Sequence, residues 1–294
     1  AIGYYSGRLN VSGSHNTYIG AYAGYSATGS RNTFIGIYAG YGNGTHSSGQ
    51  YNTALGYSAL QDFTTGDYST ALGYYAGGNI TSGVYNTIVG ALAGDAITTG
   101  TRNTLMGTSA GGGFDAESEN TAVGFEALSG GSYAADDNTV MGYRTGDALT
   151  TGSGSAFFGH DAGGTVTTGN QNIAIGIDAM NGGAITGDNN IAIGASAGDA
   201  LTSGNLNVFI GKDAGGTPTT ATQAVIVGGV SNLDANNDTN SIILGYGITG
   251  KGNHTAVIGN NEITDVWLSV DAGATVHCAQ VREGSALKIK KNIS

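Results

Sequence analysis

The sequence predicts an all-β repeat protein in which 17-residue units stack into a β-helix-like structure. Three observations carry that expectation: 54 glycines among 294 residues, a short strand signature that recurs through most of the chain, and apolar residues on both faces of that signature. Self-similarity at a short fixed period is the mark of a solenoid or array.

The unit reads Asn-Thr-φ-φ-Gly, where φ is apolar. Its closing glycines run from Gly3, Gly20 and Gly36 to Gly228, Gly245 and Gly259, and ten of the fifteen intervals between them are 17 residues. The residue before each glycine is apolar in all sixteen units, from Ile2 to Ile258. Three residues after the glycine comes alanine in eleven of the twelve units from Gly20 to Gly211, with Thr145 the exception. A small residue there implies close backbone approach. A Thr-Gly or Ser-Gly pair, as at Thr99-Gly100 and Ser203-Gly204, then supplies a turn signal. Each unit is therefore a strand, a small-residue corner and a turn.

Such a unit cannot bury its own apolar side chains, so like positions must stack in ladders about 4.8 Å apart. The position two before each glycine is also apolar, from Tyr18 and Phe34 to Ile226 and Ile243. Adjacent strand residues face opposite sides, so one apolar column faces outward and calls for packing against other copies of the chain. The regular region spans 1–216. Pro218, the only proline, and the Asn/Asp-rich stretch Ser231 to Asn240 mark degenerate repeats over 217–261. The last segment, 262–294, reads as two strands, Val266 to Val270 and Ala274 to Val281, joined by Asp271-Ala272-Gly273.

Composition removes several classes. Glycine is far too sparse and too irregular for collagen, and 39 % hydrophobic residues is too many for a disordered chain. A net charge of −11 disfavours nucleic acid and anionic bilayers and favours a neutral ligand. No apolar run approaches a membrane span. The first residue, Ala1, suggests a piece of a longer protein. The lone Cys278 has no intrachain partner and no zinc-ligand spacing.

Most catalytic motifs dissolve into the repeat. Gly107 to Gly111 and Gly194 to Gly198 spell the serine-hydrolase elbow, but the repeat itself dictates that pattern. Gly245 to Gly250 matches the dinucleotide fingerprint, yet a strand follows it instead of a helix. Asp234, Asn236 and Asp238 have calcium-loop spacing, but the turn glycine and the terminal glutamate are absent, and a solvated loop is the better reading. The five histidines lack ligand spacing, so no metal and no other cofactor is expected. Stacked coils would bring Asp161 near Asp178, or Asp199 near Asp213, a juxtaposition a glycan-cleaving enzyme could use. The threonine ladder from Thr17 to Thr139 follows from β propensity without any ice-binding role. Aromatic faces bordered by Asn and hydroxyl side chains suit sugars. Most of the 16 tyrosines are expected to serve packing, and the expected exposed platform is Tyr246, His254, Asn260, Asn261 and Trp267.

Units such as Asn172-Ile173-Ala174-Ile175-Gly176 resemble the repeats of trimeric bacterial adhesin heads and phage tail-fibre tips, over roughly Ala1 to Gly259. The ending, Ser285-Ala286-Leu287-Lys288-Ile289-Lys290-Lys291-Asn292-Ile293-Ser294, resembles the junction at which phage fibres carry a C-terminal intramolecular chaperone that drives trimer assembly and then cuts itself off. Together they resemble the distal tip of the L-shaped tail fibre of T-five-like siphophages. The resemblance implies a parallel homotrimer with intertwined sheets in an extracellular virion fibre. It also implies non-enzymatic, reversible attachment to mannose-rich O-antigen of lipopolysaccharide, and maturation by cleavage after Ser294. A tailspike-like depolymerase and a trimeric adhesin head are the alternatives.

Overall fold

The computed structural model describes residues 1–44, 46–131, 135–264 and 266. The expected strands beyond Val266, with Trp267, Cys278 and Ser294, lie outside the described residues. The chain divides into two units, 1–260 and 261–294, and the larger is a parallel β-solenoid. Fifteen three-residue strands, from β1 (Thr17–Ile19) to β15 (Ala256–Ile258), form one sheet in sequence order. Each coil adds one strand in parallel register: Thr17 pairs with Thr33, Thr33 with Thr53, and so on to Leu244 with Ile258. Successive coils therefore wind within one chain.

The five-residue signature explains each strand. The asparagine points inward, the threonine outward, the first apolar residue inward and the second outward. The closing glycine then turns the chain. At Gly107 φ is +140°, and an added methyl would overlap the carbonyl oxygen of Gly124 in the next coil, so this position needs glycine on both counts. The small corner residue follows: Ala23, Ala39, Ala76, Ala93 and Ala110 are all fully buried. Thr145, the exception, is equally buried, and its Oγ1 donates to Gly159 O at 2.6 Å. Hydrogen bonds link coils around the whole circuit, as in Gly94 N to Ala110 O (2.9 Å), Thr98 N to Asp115 O (2.9 Å) and Arg102 N to Val84 O (3.0 Å).

Two ladders fill the interior. The central strand residues Phe34, Ala54, Ala71, Ile88, Leu105, Ala122, Val140 and Phe157 form the first. Phe63, Ile80, Ile97, Phe114, Leu149, Val166 and Ile185 line the opposite wall. Volumes compensate: where the strand offers only Ala54, the wall offers Phe63, whose ring meets Phe34 edge-on at 5.2 Å.

The buried asparagines form a third ladder. Asn103 Oδ1 accepts from Asn120 N at 3.0 Å, while its Nδ2 donates to Glu117 O at 2.8 Å. The same pattern links Asn16, Asn32 and Asn52, passes through Ser69 and Ser155, and runs on to Asn190 and Asn207. It ends where Asn207 Oδ1 accepts from Ala224 N. Each amide thus satisfies backbone groups that a closed interior would otherwise orphan.

The asparagine and threonine of one unit should therefore differ sharply in energetic weight. Asn103→Ala should cost about 2–4 kcal/mol, because it strands two buried backbone groups as well as losing its own bonds. Thr104→Ala, on the outer face, should change stability by less than about 0.5 kcal/mol. Denaturant unfolding monitored by circular dichroism measures both, and comparable losses would refute the ladder's role.

Candidate functional site

The coil has three positions held in the left-handed region, and the one four residues after the closing glycine is taken by glycine or by the buried Leu60, Leu128 and Met180. Of the other two, one lies just before the buried asparagine or its serine substitute (Arg31, Tyr51, Tyr68, Tyr85), and one lies two residues after the closing glycine (Tyr5, Tyr22, Tyr38). The tyrosines there lie on the outside of the coil, and stacking repeats the same direction from coil to coil. Aromatic residues at these positions therefore form columns on the surface. Tyr51, Tyr68 and Tyr85 stack at 4.7 and 5.1 Å, with the Arg31 guanidinium 5.1 Å from the Tyr51 ring centroid.

The densest aromatic patch is near the N-terminal end of the solenoid. Tyr22 and Tyr38 stack at 5.2 Å, and Tyr25 and Tyr41 stack beside them at 5.1 Å. Tyr5 meets Tyr22 at 5.6 Å and carries the Arg8 guanidinium 4.1 Å from its centroid. Tyr57, stacked on Tyr74 at 5.6 Å, joins the patch edge-on through Tyr38. Tyr22, Tyr25, Tyr38 and Tyr41 are half-buried by this stacking, so the expected packing role of the tyrosines is met ring on ring at the surface rather than in the core. Among the described residues only Tyr18 belongs to the core, where burial pushes its hydroxyl pKa upward. The signal lay in the period: tyrosines two and five residues after the glycine occupy outward corners.

The outer face of the sheet is different in kind. Thr17, Thr33, Thr53, Thr70, Thr87, Thr104, Thr121 and Thr139 pair in register. Beside them runs a column of Ile19, Leu55, Leu72, Met106, Met141, Ile175 and Val227, each 38–49 % exposed. The outward apolar column read from the sequence is thus present on the protomer.

Of the sequence-derived platform, Tyr246 and Asn260 adjoin. Tyr246 is 69 % exposed, and Asn260 Nδ2 donates to its carbonyl at 3.1 Å. His254 turns instead to Asn240, with Nδ1 3.2 Å from the amide Nδ2. Asn261 is exposed and belongs to the second unit, while Trp267 is outside the described residues. The loop at Asp234 to Asp238 is not simply solvated. Asp238 is buried, and its Oδ2 accepts from Asp234 N (3.1 Å) and Ala235 N (3.2 Å), which is a turn-capping role.

Carboxylates gather along the glycine-following corner and the segment beyond it. Asp161 and Asp178 do come together, in adjacent coils. Asp147 is held by Arg144 at 2.8 Å, and Arg144 also reaches Glu126 at 3.6 Å. Asp95 and Asp199 occupy the same corner position three coils to either side of Asp147. Burial raises both pKa values, and at Asp199 the neighbouring Asp213 and Asp178 add to the effect. Asp199 Oδ1 is shut off from solvent without a hydrogen-bond partner.

A scan against protein-family models found no match, and no curated protein matches the chain.

A carboxyl whose folded pKa lies above its unfolded value binds protons more tightly in the native state, so stability falls as pH rises past the usual carboxylate range near 3.8. Asp199→Asn should remove that penalty. The variant should melt higher than the wild type at neutral pH, and the difference should vanish near about pH 3, where both states are protonated. Parallel melting curves across the whole range would show that Asp199 feels no such penalty.

Proposed function

We propose that this chain is the receptor-binding part of a trimeric phage tail fibre that attaches reversibly to polysaccharide on the host surface, without cleaving it. The observation that carries the reading is the stacked tyrosine surface at Tyr5, Tyr22, Tyr38, Tyr25 and Tyr41. Ring faces and edges set one coil apart, with phenolic hydroxyls at their tips, suit the apolar faces and hydroxyls of successive sugar rings. The negative net charge fits a neutral glycan better than a polyanion. A ligand with its own repeat can engage several coils at once, and three copies multiply weak contacts into avidity.

The trimer enters through the sheet's outer face. Its uncharged columns, threonine through Thr139 and apolar beyond beside an unbroken apolar neighbour, extend over fourteen coil steps of about 4.8 Å, roughly 67 Å in all. A continuous apolar stripe of that length is more than a monomer ordinarily leaves to water. In this reading the sheet faces pack between protomers, and the tyrosine corner, on a different part of the coil, stays available. The mannose-rich O-antigen of lipopolysaccharide is the receptor class this proposal takes from the tail-fibre resemblance. Assembly by a C-terminal chaperone released after Ser294, and a place in the extracellular virion, belong to the same reading.

Two measurements test it. Sedimentation should find a trimer, and a stable, soluble monomer would remove the assembly. On a glycan array, or with purified O-antigen, the protein should bind without releasing reducing ends. Tyr22→Ser combined with Tyr38→Ser should weaken binding at least about tenfold, given about 1 kcal/mol or more for each lost ring contact. Rapid release of reducing ends would favour a depolymerase, and unchanged binding by the double variant would place the site elsewhere.

A further inference from the structure

The five histidines show no metal-ligand spacing along the chain, but a solenoid turns a 17-residue separation into adjacency. Asp161 and Asp178 occupy the same left-handed corner of successive coils, with φ of 52° and 55°. Their strands are paired in register through Phe158 and Ile175. Matching backbone geometry therefore launches two carboxylates from equivalent points one coil apart. His160, directly before Asp161, has Nδ1 2.9 Å from Asp161 Oδ2. One ligand atom from each of His160, Asp161 and Asp178 lies within 4.8 Å of the other two.

The surroundings fix this trio and offset its charge only in part. The His160 ring stacks on Tyr143 at 4.9 Å, and Tyr143 on Phe125 at 5.4 Å, so the imidazole is held flat along its column. Arg144, the cation in the preceding coil, is bonded to Glu126 and Asp147 and reaches Asp161 only through its field. Asn181 Nδ2 donates to Asp178 Oδ1 at 3.2 Å, which steadies that carboxylate without supplying charge.

We propose that His160, Asp161 and Asp178 form a surface site for a divalent first-row transition metal that bridges two coils. One imidazole nitrogen and two carboxylate oxygens make a mixed donor set suited to Zn²⁺ or Mn²⁺. The side chains are exposed enough to close by about 1 Å each, which brings the donors to the roughly 2.0–2.2 Å bond lengths such ions require. Three protein ligands leave open positions toward solvent for water or for hydroxyl oxygens of a bound molecule. The ion would also relieve the repulsion between carboxylates stacked on adjacent coils. This site stands apart from the tyrosine surface and does not depend on its role.

The test is isothermal titration of the metal-stripped full chain with Zn²⁺ and, separately, Mn²⁺. At least one ion should bind at one site per chain and raise the melting temperature with concentration as mass action demands. Asp178→Asn and His160→Ala should each weaken that binding tenfold or more. Asp213→Asn, at the same corner but paired with Lys212 at 3.3 Å, should leave it unchanged. Replacing the ion by Co²⁺ should give a visible absorption band that His160→Ala alters. Melting of each variant in chelator confirms that it is folded. Failure of both ions to bind at up to about 1 mM, or binding unaffected by both ligand substitutions, would overturn the site.

Discussion

Everything in the solenoid depends on one constraint: each coil must lie on the next with like positions superposed, close enough for backbone hydrogen bonds all the way round. Three-residue strands have little cohesion alone, and among the described residues no strand is longer than that. Their stability is communal. The inner asparagines bond the backbone of the adjoining coil, the central strand residues interleave with the opposite wall, and the closing glycines let carbonyls approach where any side chain would intervene. A coil is therefore stable mainly through its neighbours, as in other quasi-one-dimensional repeats.

Much of this was legible in the sequence because superposition imposes periodicity. The apolar residue before each glycine, the alanine three residues after it and the Thr-Gly turn signals all fall where the geometry needs them. The inward role of the asparagine was not legible. Asn is common in turns for several reasons, and only the coordinates show its amide spanning two coils. Nor could the pattern tell which of the two adjacent apolar columns faced the interior. Both Ile19 and Tyr18 are apolar enough for a core, and the tighter packing of the strand's centre places Tyr18 inside.

The surface was read less well, and for a physical reason. Tyrosine is usually half-buried, so a chain rich in it suggests packing. Here the rings half-bury one another on the outside of the coil, and at Tyr22 and Tyr38 that direction is set by left-handed backbone geometry. A left-handed position costs a non-glycine residue roughly 1 kcal/mol, and ring-on-ring stacking along a column returns a comparable amount. The same logic united His160, Asp161 and Asp178, whose proximity depends on coil register rather than sequence spacing.

The recurrence of Asp95, Asp147 and Asp199 has a larger meaning. The segments 94–100, 146–152 and 198–204 read Gly-Asp-Ala-Ile-Thr-Thr-Gly, Gly-Asp-Ala-Leu-Thr-Thr-Gly and Gly-Asp-Ala-Leu-Thr-Ser-Gly, and each starts 52 residues after the last. The Gly-Asp-Ala opening thus returns every third coil from 94 to 198, so a stretch of three coils begins and ends on near copies of one segment. Such a cassette can be gained or lost whole without disturbing the seams on either side, so reach becomes something a lineage can adjust by duplication rather than by redesign.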